Sequence, residues 1–145
     1  MLIADQASKG WARASLPDGR DVTVIPGWLW YRLLTNTGAT LGVLSGHSQI
    51  VGILSLLIVA ALAIVAIGAQ VGGPLGIIAL GVIIGGALGN LVDRVRLGAV
   101  TDFIEIRVWP TDFNLADAAI RLGVVMFLIA LLIEVARSGR TPRTR

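Results

Sequence analysis

Residues 49–71 read QIVGILSLLIVAALAIVAIGAQV, a stretch of 23 residues without a charged side chain. A helix of that length matches the roughly 30 Å hydrocarbon core of a bilayer. The whole chain is 55% hydrophobic and only 14% charged, which is too apolar for an ordinary soluble domain. The sequence therefore predicts a membrane protein, and its 145 residues allow one domain.

Two further apolar runs follow this stretch, at residues 75–92 and 116–136. A Gly-Gly-Pro break at residues 72–74 separates the first of them from residues 49–71. That run carries three glycines at four-residue spacing on one helix face: Gly81, Gly85 and Gly89. Because small residues let helix backbones approach closely, the sequence predicts three packed spanning helices.

The charge pattern predicts how these helices cross the membrane. The basic tail at residues 137–145 contains arginines and no acidic residue, so the positive-inside rule places the C-terminus in the cytoplasm. Residues 93–113 and 9–48 then lie outside, and the turn at 72–74 lies inside. The net charge is +3. A membrane-flanking tail is a better interpretation of this positive charge than a nucleic-acid-binding surface.

The outer segments show strand patterns. Residues 20–25 read as a strand, 26–27 as a turn, and 28–31 as a strand or an interfacial anchor. In the second outer segment, Val100, Asp102, Ile104 and Ile106 alternate with other residues and would share one strand face. A small sheet resting on the membrane surface is the predicted result.

The candidate catalytic groups are carboxylates. The chain has no cysteine and one histidine, His47, which makes zinc sites and serine or cysteine triads hard to assemble. Four acids stand at predicted membrane boundaries: Asp5, Asp93, Asp102 and Asp117. Acids this close to lipid are costly and usually functional, although each one alone could instead pair with a nearby base or cap a helix.

Local spacing assigns roles to some of these acids. Asn114 and Asp117 have the spacing of a capping box at a helix start, where the helix dipole favours an ionised carboxylate. Arg121 is one turn further and is expected to pair with Asp117, while Asp93 is expected to orient Arg94. Two carboxylates held close cannot both ionise easily, so a pair such as Asp102 and Asp117 could activate water.

Five blocks of sequence resemble bacterial lipoprotein signal peptidases, the signal peptidase II family. In chain order they are Asp5-Gln6-Ala7-Ser8-Lys9, Asn36-Thr37-Gly38-Ala39, residues 85–94 (GGALGNLVDR), Val100-Thr101-Asp102-Phe103-Ile104 and Phe113-Asn114-Leu115-Ala116-Asp117. The resemblance covers nearly the whole chain, and the order of the blocks also matches.

This resemblance implies an all-α membrane protein with a four-helix transmembrane bundle and a small extracytoplasmic β-rich cradle. It implies a monomeric aspartyl endopeptidase of the bacterial cytoplasmic membrane, without metal or organic cofactor, that cuts diacylglyceryl-modified prolipoproteins before the lipidated cysteine. Asp102 and Asp117 would be the catalytic pair. The residues that would support the pair or contact the substrate are Asp5, Lys9, Asn36, Asn90, Arg94 and Asn114.

The resemblance also orders the chain into one domain with four kinds of segment. Residues 1–16 would be the remnant of the first helix, 17–48 the extracytoplasmic β-rich segment, 49–71, 75–92 and 116–136 the spanning helices, and 137–145 the cytoplasmic tail. Only four residues precede Asp5, so the first helix is expected to start further upstream. A second departure is Thr40-Leu41, where the family usually has alanine and phenylalanine; this affects cradle packing more than catalysis.

Two other functions remain open at this point. A small proton- or cation-coupled transporter subunit would need an acid in mid-membrane, whereas the acids here collect at the ends of the spans. A noncatalytic assembly factor would not require Asp102 and Asp117. His47 and the tryptophans Trp11, Trp28, Trp30 and Trp109 are interpreted as boundary residues rather than as ligands.

Overall fold

The computed structural model describes residues 1–38, 48–69 and 72–138, so His47, Thr40-Leu41 and most of the basic tail lie outside the described residues. Within them the chain is mostly helical and carries a small sheet. The elements are α1 (Leu2–Ser15), β1 (Val22–Ile25), β2 (Leu29–Asn36), α2 (Ser48–Ala69), α3 (Gly73–Leu97), β3 (Val100–Ile106) and α4 (Leu115–Ser138).

Three of the helices, α2, α3 and α4, are long and apolar enough to cross a membrane. They contain the three predicted apolar runs as far as the structure describes them, so the prediction of three helices there is confirmed. Helix α1 has 14 described residues and is not among the candidate spans. A bundle of four spanning helices therefore stays a prediction.

Helix α3 is longer than predicted. The sequence placed the start of an outer loop at residue 93, but α3 continues to Leu97 and stops at Gly98, which has a φ of 75°. No residue between Asn90 and Leu97 breaks a helix, whereas glycine in the left-handed conformation ends one. As a result, Asn90, Asp93 and Arg94 all stand on the last turns of α3.

The sheet is antiparallel with the strand order β1-β2-β3, which confirms the predicted strands and the turn between the first two. Leu34 pairs with Asp102 and Asn36 with Val100. The register shifts between Tyr31 and Leu34, and the antiparallel direction of the strands puts the end of β2 alongside the first half of β3. Asn36 and Asp102 are thereby diagonal neighbours on adjacent strands.

Glycines allow close contact between the helices. A Cβ atom at Gly86 of α3 would lie 2.7 Å from the carbonyl oxygen of Ala116, and one at Gly123 of α4 would lie 2.6 Å from Ile83 Cγ1. Gly85 similarly faces Met1, just before α1, and Gly89 faces Asp5 of α1. The predicted glycine stripe is therefore a packing surface at these two positions. Gly81, the third member of the stripe, faces nothing within 4 Å.

The sheet lies against the end of α1. Ala12 of α1, Leu16 just after this helix and Phe103 of β3 form a small buried core. Trp11 meets the rings of Tyr31 and Phe103 edge-on, with centroids 5.4 and 6.2 Å away. After β3 the chain turns back, and Ile104 forms an isolated bridge with Phe113. This bridge sets Asn114, the next residue, beside Asp102.

Candidate active site

A buried lysine joins two of the predicted acids. Lys9 Nζ lies 2.9 Å from Asp5 Oδ2 and 3.4 Å from Asp93 Oδ2, and all three side chains are at most 1% exposed. Lys9 and Asp5 are neighbours on one face of α1 because they are four residues apart. An ammonium group between two carboxylates offsets part of the cost of burying each of them.

Two asparagines connect this lysine to Asp102 and Asp117. Lys9 Nζ and Asn114 Nδ2 both donate to Asn90 Oδ1, over 2.8 and 3.2 Å. Asn90 Nδ2 donates to Asp117 Oδ1 over 2.8 Å, and Asn114 Nδ2 donates to Asp102 Oδ1 over 2.7 Å. We call this connected set the polar cluster: Asp5, Lys9, Asn90, Asp93, Asp102, Asn114 and Asp117.

Asp102 lies on β3 with its side chain 3% exposed. Its Oδ2 accepts a hydrogen bond of 2.9 Å from Asn36 Nδ2. Burial raises the pKa of Asp102 to about 6, and the negative charge of Asp117 raises it too, while the hydrogen bonds from Asn36 and Asn114 oppose the shift. This carboxyl therefore binds a proton more readily than an ordinary aspartate.

Asp117 stands in the first turn of α4 in the predicted capping box. Its backbone N–H donates to Asn114 Oδ1 over 2.9 Å, and the Asn114 N–H faces Asp117 Oδ2 at 3.4 Å. This reciprocal arrangement satisfies N–H groups at the helix start and fixes the Asp117 side chain. The same carboxylate still accepts from Asn90, so Asp117 both caps α4 and belongs to the polar cluster.

The expected ion pair between Asp117 and Arg121 is absent among the described residues. The Arg121 guanidinium lies instead over the rings of Trp109 and Phe113, 4.8 and 5.2 Å from their centroids. Helical side chains lean toward the helix N-terminus, and the loop before α4 offers two aromatic faces there. The attraction between a cation and those rings accounts for the orientation.

The expectation that Asp93 orients Arg94 is also wrong. Adjacent residues of a helix point in different directions, and Asp93 faces α1 and Thr101, whose backbone N–H donates to Asp93 Oδ2 over 3.0 Å. Arg94 instead packs over Gly52 of α2 and donates to the carbonyl oxygen of Gly38 over 3.1 Å. Arg94 therefore borders the polar cluster on its α2 side.

Sequence reasoning missed two residues that contact the polar cluster, Gln6 and Arg13, the second of which lies 4.0 Å from Asp93 Oδ1. Gln6 Nε2 donates to Asp93 Oδ1 and to the carbonyl oxygen of Gly89, each over 3.0 Å. Arg13 Nη1 donates to Thr101 Oγ1 over 2.8 Å. The signal was present on α1, because Gln6, Lys9 and Arg13 recur at three- and four-residue spacing and so share one helix face.

The site residues named from the sequence thus converge. All eight stand at one end of the bundle, and seven of them are in contact: Asp5, Lys9, Asn36, Asn90, Asp102, Asn114 and Asp117. Arg94 touches the cluster through the carbonyl oxygen of Asn90, 3.4 Å away. Across the described ranges, no three His, Cys, Asp or Glu side chains are placed to hold a metal ion.

Comparisons with known proteins agree with this arrangement. A family described as "Signal peptidase (SPase) II" matches residues 1–133. The lipoprotein signal peptidase of Syntrophomonas wolfei is 39% identical over 140 residues, which is 97% of this chain and 93% of that protein. The lipoprotein signal peptidase of Staphylococcus carnosus is 36% identical over 141 residues, or 95% and 89% of the two chains.

Two solved structures are similar over most of their length. One bacterial membrane enzyme, determined by the in meso method at 2.3 Å resolution, has a TM-score of 0.87 and 31% identity, covering 97% of this chain and 88% of that one. A second, determined at 1.9 Å, has a TM-score of 0.80 and 34% identity, covering 90% and 86%. With the family match over residues 1–133, these similarities show that the chain belongs to the signal peptidase II family.

Proposed function

We propose that this protein is an aspartic endopeptidase of the bacterial membrane that removes signal peptides from prolipoproteins, with Asp102 and Asp117 as its catalytic pair. Membership of the signal peptidase II family supports the protease activity and the substrate. The observation that carries the catalytic assignment is the chain of hydrogen bonds from Asp102 through Asn114 and Asn90 to Asp117. These hydrogen bonds connect two carboxylates that stand on separate elements, β3 and α4.

The two carboxylates differ in surroundings, and this difference suggests their roles. Asp102 is the more buried and has the raised pKa, so it is the group that holds a proton and donates it toward the carbonyl oxygen of the scissile bond. Asp117 acts as the general base that takes a proton from the attacking water. The water oxygen then bonds to the carbonyl carbon, the C–N bond breaks, and the amine leaves with a proton.

The remaining cluster residues position this pair. Asn114 and Asn36 hold both oxygens of Asp102, and Asn90 holds Asp117. Lys9 keeps Asn90 oriented by donating to its side-chain oxygen, which leaves the Asn90 amide free to donate. Arg94, at the border with α2, is placed to contact the substrate chain.

The position of the site fits a lipid-modified substrate. The polar cluster lies where the ends of three apolar helices meet the sheet, so a substrate could keep its acyl chains in the bilayer while its cleavage point reaches water. We place this end at the extracytoplasmic face and the end of α4 in the cytoplasm, because the basic tail follows α4. Cleavage before a diacylglyceryl-modified cysteine belongs to the same proposal. Family membership gives no support to a transporter.

The test is cleavage of a diacylglyceryl-modified proprotein in detergent by the parent and by Asp102→Asn and Asp117→Asn variants. Both variants are expected to lose at least about a thousandfold in rate, because each lacks one proton-transfer partner. Asp18→Asn serves as the matched control, since Asp18 is exposed and outside the polar cluster. Cleavage by both folded variants at the parent's rate would refute the catalytic pair, and a folded parent that does not cut would refute the activity.

A further inference from the structure

Arg121 has an environment that the polar cluster does not explain. It is half-buried in the second turn of α4, one turn beyond Asp117. The central carbon of its guanidinium lies 4.8 Å from the ring centroid of Trp109 and 5.2 Å from that of Phe113. Within the part of the chain that the structure describes, none of the ion pairs includes Arg121. Its charge therefore acts mainly on two aromatic rings that precede α4.

Phe113 is fixed on its other side by the strand that carries Asp102. Its carbonyl oxygen accepts hydrogen bonds from the N–H groups of Phe103 and Ile104, over 3.1 and 2.9 Å, and its own N–H donates to the carbonyl oxygen of Ile104 over 3.0 Å. Its side chain is buried. The backbone of Phe113 is therefore part of the sheet, while its ring contacts a side chain of α4.

The contact between Arg121 and Phe113 gives α4 a second connection to β3. The first is Asn114, which donates to Asp102 and accepts from the backbone N–H of Asp117. Packing against α3 fixes α4 within the bundle, but the position of the sheet relative to α4 depends on contacts between α4 and this end of β3. Arg121 and Asp117 are four residues apart and share a helix face, so the second connection lies one turn from the carboxylate.

We propose that Arg121 is a positioning residue for the cleavage reaction, which holds the sheet against α4 by stacking on Phe113 and Trp109. It thereby keeps Asp102 in a fixed position relative to Asp117. This inference rests on the proposed function, because Arg121 acts through the proposed catalytic pair. Its physical basis is the attraction between a cation and the face of an aromatic ring, which is stronger where the ring is shielded from water. A guanidinium also stacks flat on such rings.

The experiment measures kcat and KM, per folded molecule, for cleavage of a diacylglyceryl-modified proprotein in detergent. Arg121→Met keeps an apolar stem without the charge, and it is expected to lower kcat about tenfold and to leave KM within about twofold of the parent value. Arg121→Lys should recover part of the loss, since an ammonium group also binds aromatic faces. Trp109→Leu should lower kcat less because Phe113 remains, and adding it to Arg121→Met should lower kcat no further.

Two control variants separate positioning from stability. Ala130→Gly removes a buried methyl group at the opposite end of α4 and lowers helix propensity, so it should lower the midpoint of thermal unfolding without changing kcat. Arg107→Met removes an exposed charge near the same end of the bundle and should change neither quantity. A parental kcat in Arg121→Met would overturn the proposal. A raised KM with parental kcat would also overturn it, because Arg121 would then be a substrate contact.

A measurement without cleavage separates this proposal from the protease assignment. Hydrogen exchange at the amides of Ile104 and Phe113, which form the isolated bridge, is expected to be about fivefold faster in Arg121→Met than in the parent. Exchange in Ala130→Gly should match the parent at these amides. A folded parent that does not cut would refute the proposed function, whereas faster exchange would still support the hold of Arg121 on this loop. Unchanged exchange in Arg121→Met would overturn that hold whether or not the parent cuts.

Discussion

At the residue scale, the unusual feature is a lysine with no exposed surface. Lys9 contacts Asp5, Asp93 and Asn90 within 3.4 Å, so two buried carboxylates depend on one ammonium group. Removing one partner of a buried ion pair is far more costly than the pair's net contribution, since it leaves uncompensated charge. Lys9 therefore stabilises the fold by offsetting the repulsion between the Asp5 and Asp93 carboxylates as much as by attracting each of them.

We expect Lys9→Met to lower the free energy of unfolding by about 3–5 kcal/mol, measured as a lower midpoint of thermal unfolding in detergent. A double variant, Lys9→Met with Asp5→Asn, should recover part of that loss because it removes one of the two unpaired charges. Arg13→Met provides the comparison, since Arg13 is partly exposed and 4.0 Å from Asp93. A single Lys9 variant as stable as Arg13→Met would show that the ion pairs contribute little.

The raised pKa of Asp102 predicts a pH dependence with a definite sign. If Asp102 must be protonated for catalysis, the rate of cleavage falls as pH rises through about 6, by about tenfold per pH unit above it. The folded protein also holds a proton that the unfolded chain releases near pH 3.8, so the free energy of unfolding falls as pH rises between these values. A rate that stays flat or increases across pH 6 would contradict the assigned role.

At the scale of elements, the contact between α3 and α4 positions Asp117, one of the two proposed catalytic aspartates, against Asn90. Gly86 lies against the backbone of Ala116, next to Asp117, so the distance between these helices is set by a missing side chain. A Cβ atom there would also come within 2.9 Å of Ile120 Cγ1. Because one of the obstructing atoms is backbone, the strain can be relieved only by moving α3 and α4 apart.

We expect Gly86→Ala to lower both thermal stability and cleavage rate, the latter by about tenfold or more, because misplacing a catalytic group by about 1 Å can cost a hundredfold. Gly81→Ala is the matched control on the same helix, since a Cβ atom at Gly81 meets nothing within 4 Å. It should leave the rate unchanged and raise stability slightly through helix propensity. Equal effects of the two substitutions would show that close packing at Gly86 is unimportant.

Most of the helices and strands could be predicted from the sequence. The apolar runs, the strand patterns and the box of Asn114 and Asp117 are local signals, and each was confirmed. The end of α3 was predicted too early because Asp93 was taken as the start of a polar loop. The direction of Arg121 was missed since two aromatic faces compete with Asp117, and their proximity depends on the bridge between Ile104 and Phe113, which is a tertiary contact.

At the scale of the whole molecule, the buried polar residues collect at one end, while the opposite end holds the turn before α3. There Glu134 of α4 accepts a hydrogen bond of 2.6 Å from the backbone N–H of Gly72, which joins α4 to the start of α3. The family resemblance named the candidate site residues among which spacing alone could not choose. The hydrogen bonds among these residues could not be predicted from the sequence, because they join residues on α1, α3, β3 and the start of α4.

The proposed orientation in the membrane can be tested because the chain contains no cysteine, so one introduced cysteine is a unique label site. Asp18→Cys lies near the sheet and Ser138→Cys at the end of α4, and both positions are exposed. In intact cells a membrane-impermeant maleimide should label Asp18→Cys only, whereas both should react after the membrane is opened. The positive-inside rule favours this result because the arginines follow Ser138. Labelling of Ser138→Cys alone in intact cells would show the opposite topology, with the polar cluster at the cytoplasmic face, and would contradict the proposed orientation.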